Sequence, residues 1–160
     1  MVEYRIKIMK IHLNNKQTKY RINSLKIKKV INLLCLNLDL NKRKWSDISV
    51  IIVNEGEIQS LHHKYFNKNE TTDVITFTYP PIPCEKYYSG DIIINIDIVH
   101  KEGIKRKNIN YELVFYIAHG IDHLNGNNDD TLEKRKKMHN REKKWVAKLD
   151  EIDLLNNLIS

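Results

Sequence analysis

Residues 48–65 read ISVIIVNEGEIQSLHHKY, and the change of pattern inside that stretch sets the fold class. Ile48, Val50, Ile51, Ile52 and Val53 form a β-branched run of strand length, apolar enough to be buried on both faces of a sheet. Asn54 and Glu57, three residues apart, then make a capping box that opens a helix through Tyr65. A buried strand that runs straight into a helix belongs to a sheet layered with helices.

The flanking sequence extends this pattern. Upstream, Val2, Tyr4, Ile6 and Ile8 alternate with Glu3, Arg5 and Lys7, which predicts a half-buried strand. With Ser24 as N-cap, Leu25, Ile27, Val30, Ile31, Leu34 and Leu38 recur at helical spacing. Downstream, residues 73–79 read as a strand stopped by Pro80, Pro81 and Pro83. Gly90 and Asp91 start another through Ile92, Ile93, Ile94 and Ile96, and Asp97 is placed to cap a short helix ending near Gly103. Two longer helices follow, over about residues 110–124 and from Asp130, where Glu133 completes a capping box and Leu132, Met138, Trp145 and Leu149 point inward. No repeat or linker interrupts this order. The expectation is one α+β domain over residues 1–160, with a mixed sheet of about four strands, several helices, and a tail that frays after Asp150.

Composition narrows the class. At 160 residues, 41% hydrophobic and 29% charged with 5 Gly and 3 Pro, the chain carries a packed core and is neither disordered nor collagen-like. Twenty-seven basic against twenty acidic residues give a net charge of +7, which favours polyanions such as RNA. AT-rich coding DNA produces the same Lys and Asn excess, so charge alone decides little. Cys35 and Cys84 lack a CxxC partner, which excludes a thiolate zinc site and fits a reducing cytoplasm. No run approaches the roughly 18–20 apolar residues of a membrane span, so neither secretion nor membrane insertion is expected.

His119 and His123 stand four residues apart on the second-last helix, so both imidazoles leave the same face one turn from each other. Gly126 ends that helix where the chain can reverse, and Asp129 follows three residues later, giving HGxxHxxGxxD. Two imidazoles and a carboxylate around one cation leave a fourth position for water, the arrangement of a catalytic site; a structural site is closed by four ligands. The plainer reading is a helix end with two polar histidines and a solvated turn. Asp122 and Asp130 are rival carboxylates, but Asp122 shares the helix with the histidines and Asp130 suits the next N-cap, so Asp129 is preferred. The same spacing occurs in metzincin proteases, whose general base follows the first histidine; here that place holds Gly120, which demotes a peptidase to a minor alternative.

With these residues in place, the sequence resembles the YbeY family of metallo-endoribonucleases of ribosomal RNA maturation, whose signature is HGxLHLxGYDH. The resemblance includes His119-Gly120, His123-Leu124 and Gly126, Thr72-Asp73-Val74-Ile75-Thr76-Phe77 against a TDVLSF-type strand, and Gly90-Asp91-Ile92 against a GDI strand start. It implies a single zinc-dependent α+β domain that cuts single-stranded RNA in ribosomal RNA maturation and ribosome quality control, with ribosomal RNA and the small ribosomal subunit as partners. His119, His123 and Asp129 would hold one Zn²⁺. Three departures are visible. Asp129 stands where the family has a third histidine, Asp122 replaces a leucine, and Phe66 follows Tyr65 where the family carries a phosphate-gripping arginine.

Asp73 and Asp122 are candidate proton acceptors beside the ligand His119. Thr72, Asp73, Gly90, Asp91, Lys134 and Arg135 are candidate substrate contacts, the last two within a basic cluster extending to Lys144. The rival from outside enzymology is a ribosome assembly factor in which the metal only secures the helix junction.

Overall fold

The computed structural model describes residues 9–37 and 43–160. The strand expected over residues 2–8 and the helical position Leu38 lie outside the described residues. The elements are β1 (Lys10–Asn15), α1 (Ser24–Asn37), β2 (Trp45–Val53), α2 (Glu55–Phe66), β3 (Val74–Tyr79), β4 (Tyr88–Asn95), α3 (Ile96–Lys105), α4 (Ile109–Leu124) and α5 (Leu132–Glu151). They form an α+β domain around a four-stranded mixed sheet of order β1-β2-β4-β3. β1, β2 and β4 run parallel, and β3 is an antiparallel edge on β4.

The sheet is covered on both faces, which explains the unbroken apolar run in β2. Ile48, Val50 and Ile52, with Ile92 and Ile94 of β4, enter the main core against α1, α4 and α5. Val53 and Ile93, one residue out of phase, join Ile58 of α2 and Ile75 of β3 in a smaller cluster on the other face. Asn54 caps α2 as its spacing predicts, accepting the Glu57 N–H at 2.9 Å. Other caps fall beside the residues expected. Asn23, not Ser24, takes the Lys26 N–H of α1. Asn95, not Asp97, caps α3, and the Asp97 carboxylate instead accepts the Glu55 N–H of α2 and pairs with Lys19. Thr131, not Asp130, caps α5. In each case a neighbouring short polar side chain lies closer to the exposed N–H groups.

Helix α4 is the axis of the molecule, with twelve of its sixteen residues buried. It lies so close to β4 that a Cβ on Gly120 would sit 2.4 Å from Cγ2 of Ile92. Leu25 and Leu132, both assigned inward by periodicity, are solvent-exposed at helix N-termini, where the first turn projects beyond the core. The tail is docked and does not fray. Leu155 and Leu158 are buried in the main core, and Ile159 pairs with Ile22 in an isolated antiparallel bridge.

Candidate metal centre

Helix α4 delivers His119 and His123 from its last two turns, and the chain then reverses through Gly126, whose φ of 92° is a left-handed value that suits glycine. That reversal returns Asp129 to the histidine pair. The two Nε2 atoms face each other at 3.1 Å, and the Asp129 carboxylate oxygens lie 3.5 Å from Nε2 of His119 and 3.9 Å from Nε2 of His123. One ligand atom from each of the three side chains falls within 4.8 Å of the others.

The opposite nitrogens determine what those Nε2 atoms can do. Nδ1 of His123 lies 3.0 Å from the Asn127 carbonyl, which only accepts, so Nδ1 carries the proton and Nε2 of the neutral ring is a bare lone pair. Nδ1 of His119 lies 2.7 Å from Oε1 of Glu142, and the same argument bares its Nε2. Two lone pairs and a carboxylate aimed at one point repel each other unless a cation stands between them. Metal–nitrogen bonds of about 2.0–2.1 Å at a tetrahedral angle separate two nitrogens by about 3.3 Å, close to the spacing found here. The donor set therefore fits one divalent cation with an open position.

The charge around the site is negative. Burial alone would lower the pKa of His119, but the hydrogen bond and charge of Glu142, with the fields of Asp73 and Asp129, more than reverse it, so His119 lies above the ordinary histidine value. Glu142 is wholly buried and its Oε2 has no partner among the described residues. His139, one turn before Glu142 on α5, packs its ring 5.8 Å from that of His119. His119, His139 and Glu142 form a second grouping with ligand geometry. In it the His119 Nδ1–Glu142 contact at 2.7 Å is a hydrogen bond too short to admit an ion, which favours the Asp129 grouping.

The other candidates divide by position. Asp73 immediately precedes β3, its Oδ1 accepting the Val74 N–H at 2.8 Å, and its charge acts on both His119 and Tyr116 of α4. Thr72 leans on the same oxygen, and its carbonyl accepts from Asn95. Asp122 is neither solvated nor turned to the histidines. It is buried, with Arg141 donating to both carboxylate oxygens at 2.8 Å and Asn127 to Oδ1 at 2.7 Å. Gly90 is buried beneath Leu124 and Trp45, where a Cβ would come within 3.0 Å, and with Asp91 it lines an open cleft alongside His12, Asp47 and Tyr79. Asp91 lies on the opposite sheet face from α4, accepting the Tyr79 hydroxyl at 2.9 Å, and does not reach the histidines. Lys134 and Arg135 are exposed on the first turns of α5, with Arg135 donating to the Asp129 carbonyl at 3.4 Å.

Sequence reasoning missed Glu142 and Asn127, and it placed Arg141 only in the basic cluster of α5, without its ion pair to Asp122. One signal was present: Met138, Glu142, Val146 and Leu149 share the buried stripe of α5, so Glu142 is an acid on an apolar face. Gly120, at the place of a metzincin base, is pressed against Ile92 and leaves no room for a side chain.

Fold and site together define an α+β protein with a two-histidine, one-carboxylate grouping that could bind a cation at the end of its central helix. A family model described as Endoribonuclease YbeY matches residues 12–150, and the chain belongs to that family. An Endoribonuclease YbeY of Buchnera aphidicola subsp. Baizongia pistaciae is 40% identical over 110 residues, covering 66% of this chain and 71% of the relative. One from Thermodesulfovibrio yellowstonii is 31% identical over 153 residues, covering 87% of this chain and 96% of the relative. The solution structure of a Thermotoga maritima protein superposes with a TM-score of 0.59 at 24% identity, covering 92% of this chain and 95% of that one, a likeness of fold.

Proposed function

We propose that this protein is a zinc-dependent endoribonuclease that cuts single-stranded segments of ribosomal RNA in the cytoplasm, during maturation and quality control of the small ribosomal subunit. The observation that carries the reading is the pair of imidazoles whose Nδ1 atoms are fixed by Glu142 and Asn127, so that both Nε2 lone pairs and Asp129 aim at one point. When bound there, a divalent cation supplies Lewis acidity, acidifying a water in its open position and screening charge on the phosphoryl group.

The chain's own residues do the rest. His119, His123 and Asp129 fix the coordination direction. Glu142 holds His119 in the tautomer that presents Nε2, and Arg141 pins Asp122 so that the last turn of α4 keeps its place. In this reading Asp73, with one oxygen held by Val74 and Thr72 and the other without a partner among the described residues, accepts a proton near the site. Asp122, with both oxygens engaged, is a positioning residue.

Metal content and cleavage of a single-stranded RNA by purified, nuclease-free protein test this directly. The wild type is expected to carry about one zinc and to cut; His119→Ala and His123→Ala are expected to lose the metal and about 10³-fold or more in rate, the several kcal/mol a catalytic cation contributes. Retained cleavage in either variant defeats the reading. A metal-loaded wild type that binds ribosomal particles and never cuts identifies an assembly factor instead.

A further inference from the structure

We propose that the cavity between the turn after α4 and the first half of α5 is a phosphate subsite, which holds a backbone phosphate of the RNA strand next to the one presented to His119, His123 and Asp129. The proposal rests on the endoribonuclease reading above and adds to it where the strand lies. The cavity has a volume of about 280 Å³, with Gly126, Asn127 and Asn128 on one wall and Lys134, Lys137, Met138 and Arg141 on the other. At about 30 Å³ per water in the liquid, that is room for about nine waters, enough for a phosphodiester group with part of its hydration.

The second wall is a single stripe of α5, at spacing i, i+3, i+4 and i+7, and three of its four members are cationic. Arg43 adds a fourth cation, a second guanidinium, at the rim, 3.8 Å from where a Cβ on Gly126 would sit. The acids facing these cations leave them available. Lys134 pairs with Asp130 at 3.0 Å and Lys137 with Glu133 at 2.9 Å, both as i,i+4 contacts whose side chains are at least half exposed and which exchange readily. Asp122 is buried and already neutralised by Arg141. That ion pair uses Nε and Nη2, so the guanidinium is oriented while Nη1 has no partner among the described residues. An oriented guanidinium Nη1 with two mobile ammonium groups is a donor set for phosphate oxygens.

Adjacency ties the cavity to the cation site. The same turn that lines it turns the Asp129 carboxylate toward the histidines, and consecutive residues of α5 serve the two places, Arg141 beside the cavity and Glu142 on His119. On this proposal a strand whose scissile phosphate faces the cation grouping of His119, His123 and Asp129 lays a neighbouring phosphate on this stripe.

The test uses a fully 2′-O-methylated single-stranded RNA, which binds but resists cleavage, and metal-free protein, with Kd measured across a KCl series. Lys134→Gln/Lys137→Gln is compared with Lys143→Gln/Lys144→Gln, which removes the same charge from exposed positions of α5 outside the cavity. One phosphate contact contributes about 0.7 to the salt slope for a single strand, which amounts to about fivefold in affinity at 0.1 M salt. The first double variant is expected to lose about that much of both, with an unchanged melting curve, and the second to keep the wild-type slope. Equal losses in the two variants, or none in the first, overturn the subsite. Cleavage of unmodified RNA by zinc-loaded wild type is scored separately: a slope that depends on Lys134 and Lys137 without any cleavage retains the subsite and removes the nuclease reading.

Discussion

In His119 and His123 the nitrogen facing away from the cation site sets the chemistry of the nitrogen facing it. His123 relies on a backbone carbonyl, which no side-chain substitution removes, whereas His119 relies on Glu142, a buried acid delivered from another helix. Glu142→Gln keeps the shape and an acceptor oxygen but removes the charge. It is expected to weaken cation affinity about 10- to 100-fold, the usual cost of losing the partner behind a ligating histidine. Equilibrium dialysis against a competing chelator measures this, and an unchanged affinity would show that Glu142 serves packing alone. His119, His123 and Asp129 were legible in the sequence because a helix period and one glycine turn connect them within eleven residues. Glu142 was not, because it lies 23 residues from His119 in a Lys-rich helix where an acid reads as solvated. The place of Gly90 and Asp91 was not legible for a related reason: alternation along β4 puts them on opposite faces, one packed under Leu124 and the other turned away from α4.

At the scale of elements, the β-to-α junctions were read well wherever one short polar residue stood alone before a helix, as at Asn54. They were read poorly wherever two competed, because spacing does not say which side chain lies over the exposed N–H groups. Asn95 shows what the winner does. Its Oδ1 accepts from Asp97 and Ile98 at the start of α3, and its Nδ2 donates to Thr71 and to the Thr72 carbonyl. One fully buried amide thereby joins α3 to the segment that delivers Asp73 to the vicinity of α4. Asn95→Ala removes the cap and leaves the Thr72 carbonyl without this donor, an expected loss of about 1–3 kcal/mol. Urea unfolding should show a lower midpoint at unchanged slope, the sign of lost stability without altered compactness. A change below about 0.5 kcal/mol, typical of a surface substitution, would mean that water replaces the amide fully.

For the whole molecule, the last eight residues close a fold whose functional end lies elsewhere. Leu155 and Leu158 fill the main core, the Asn110 side chain accepts the N–H groups of Leu158 and Ile159, and Arg21 and Ser160 exchange two backbone hydrogen bonds at 2.9 Å. The tail thus ties the start of α1 to the start of α4, while the candidate metal centre occupies the last turns of α4. Sequence periodicity could not reveal this, since Leu154, Leu155, Leu158 and Ile159 follow neither a helix nor a strand period and the backbone turns through left-handed Asp153 and Asn157. If the tail were frayed, trimming Leu158 would cost almost nothing. Because it is 1% exposed, Leu158→Ala should cost about 2–5 kcal/mol, the range for a leucine removed from a packed core. At about 2–4 °C per kcal/mol for a chain of this size, thermal unfolding should fall by at least several degrees. Zinc content and cation affinity of the folded variant should stay at wild-type values, because the hydrogen bonds of this end go to residues 21, 23, 26 and 110 and to the end of α5, and none among the described residues reaches the ligands, Glu142 or the 126–129 turn. A melting temperature within a degree of wild type would undo the docked-tail account, and a parallel loss of metal would show that the two ends of α4 are coupled through the core.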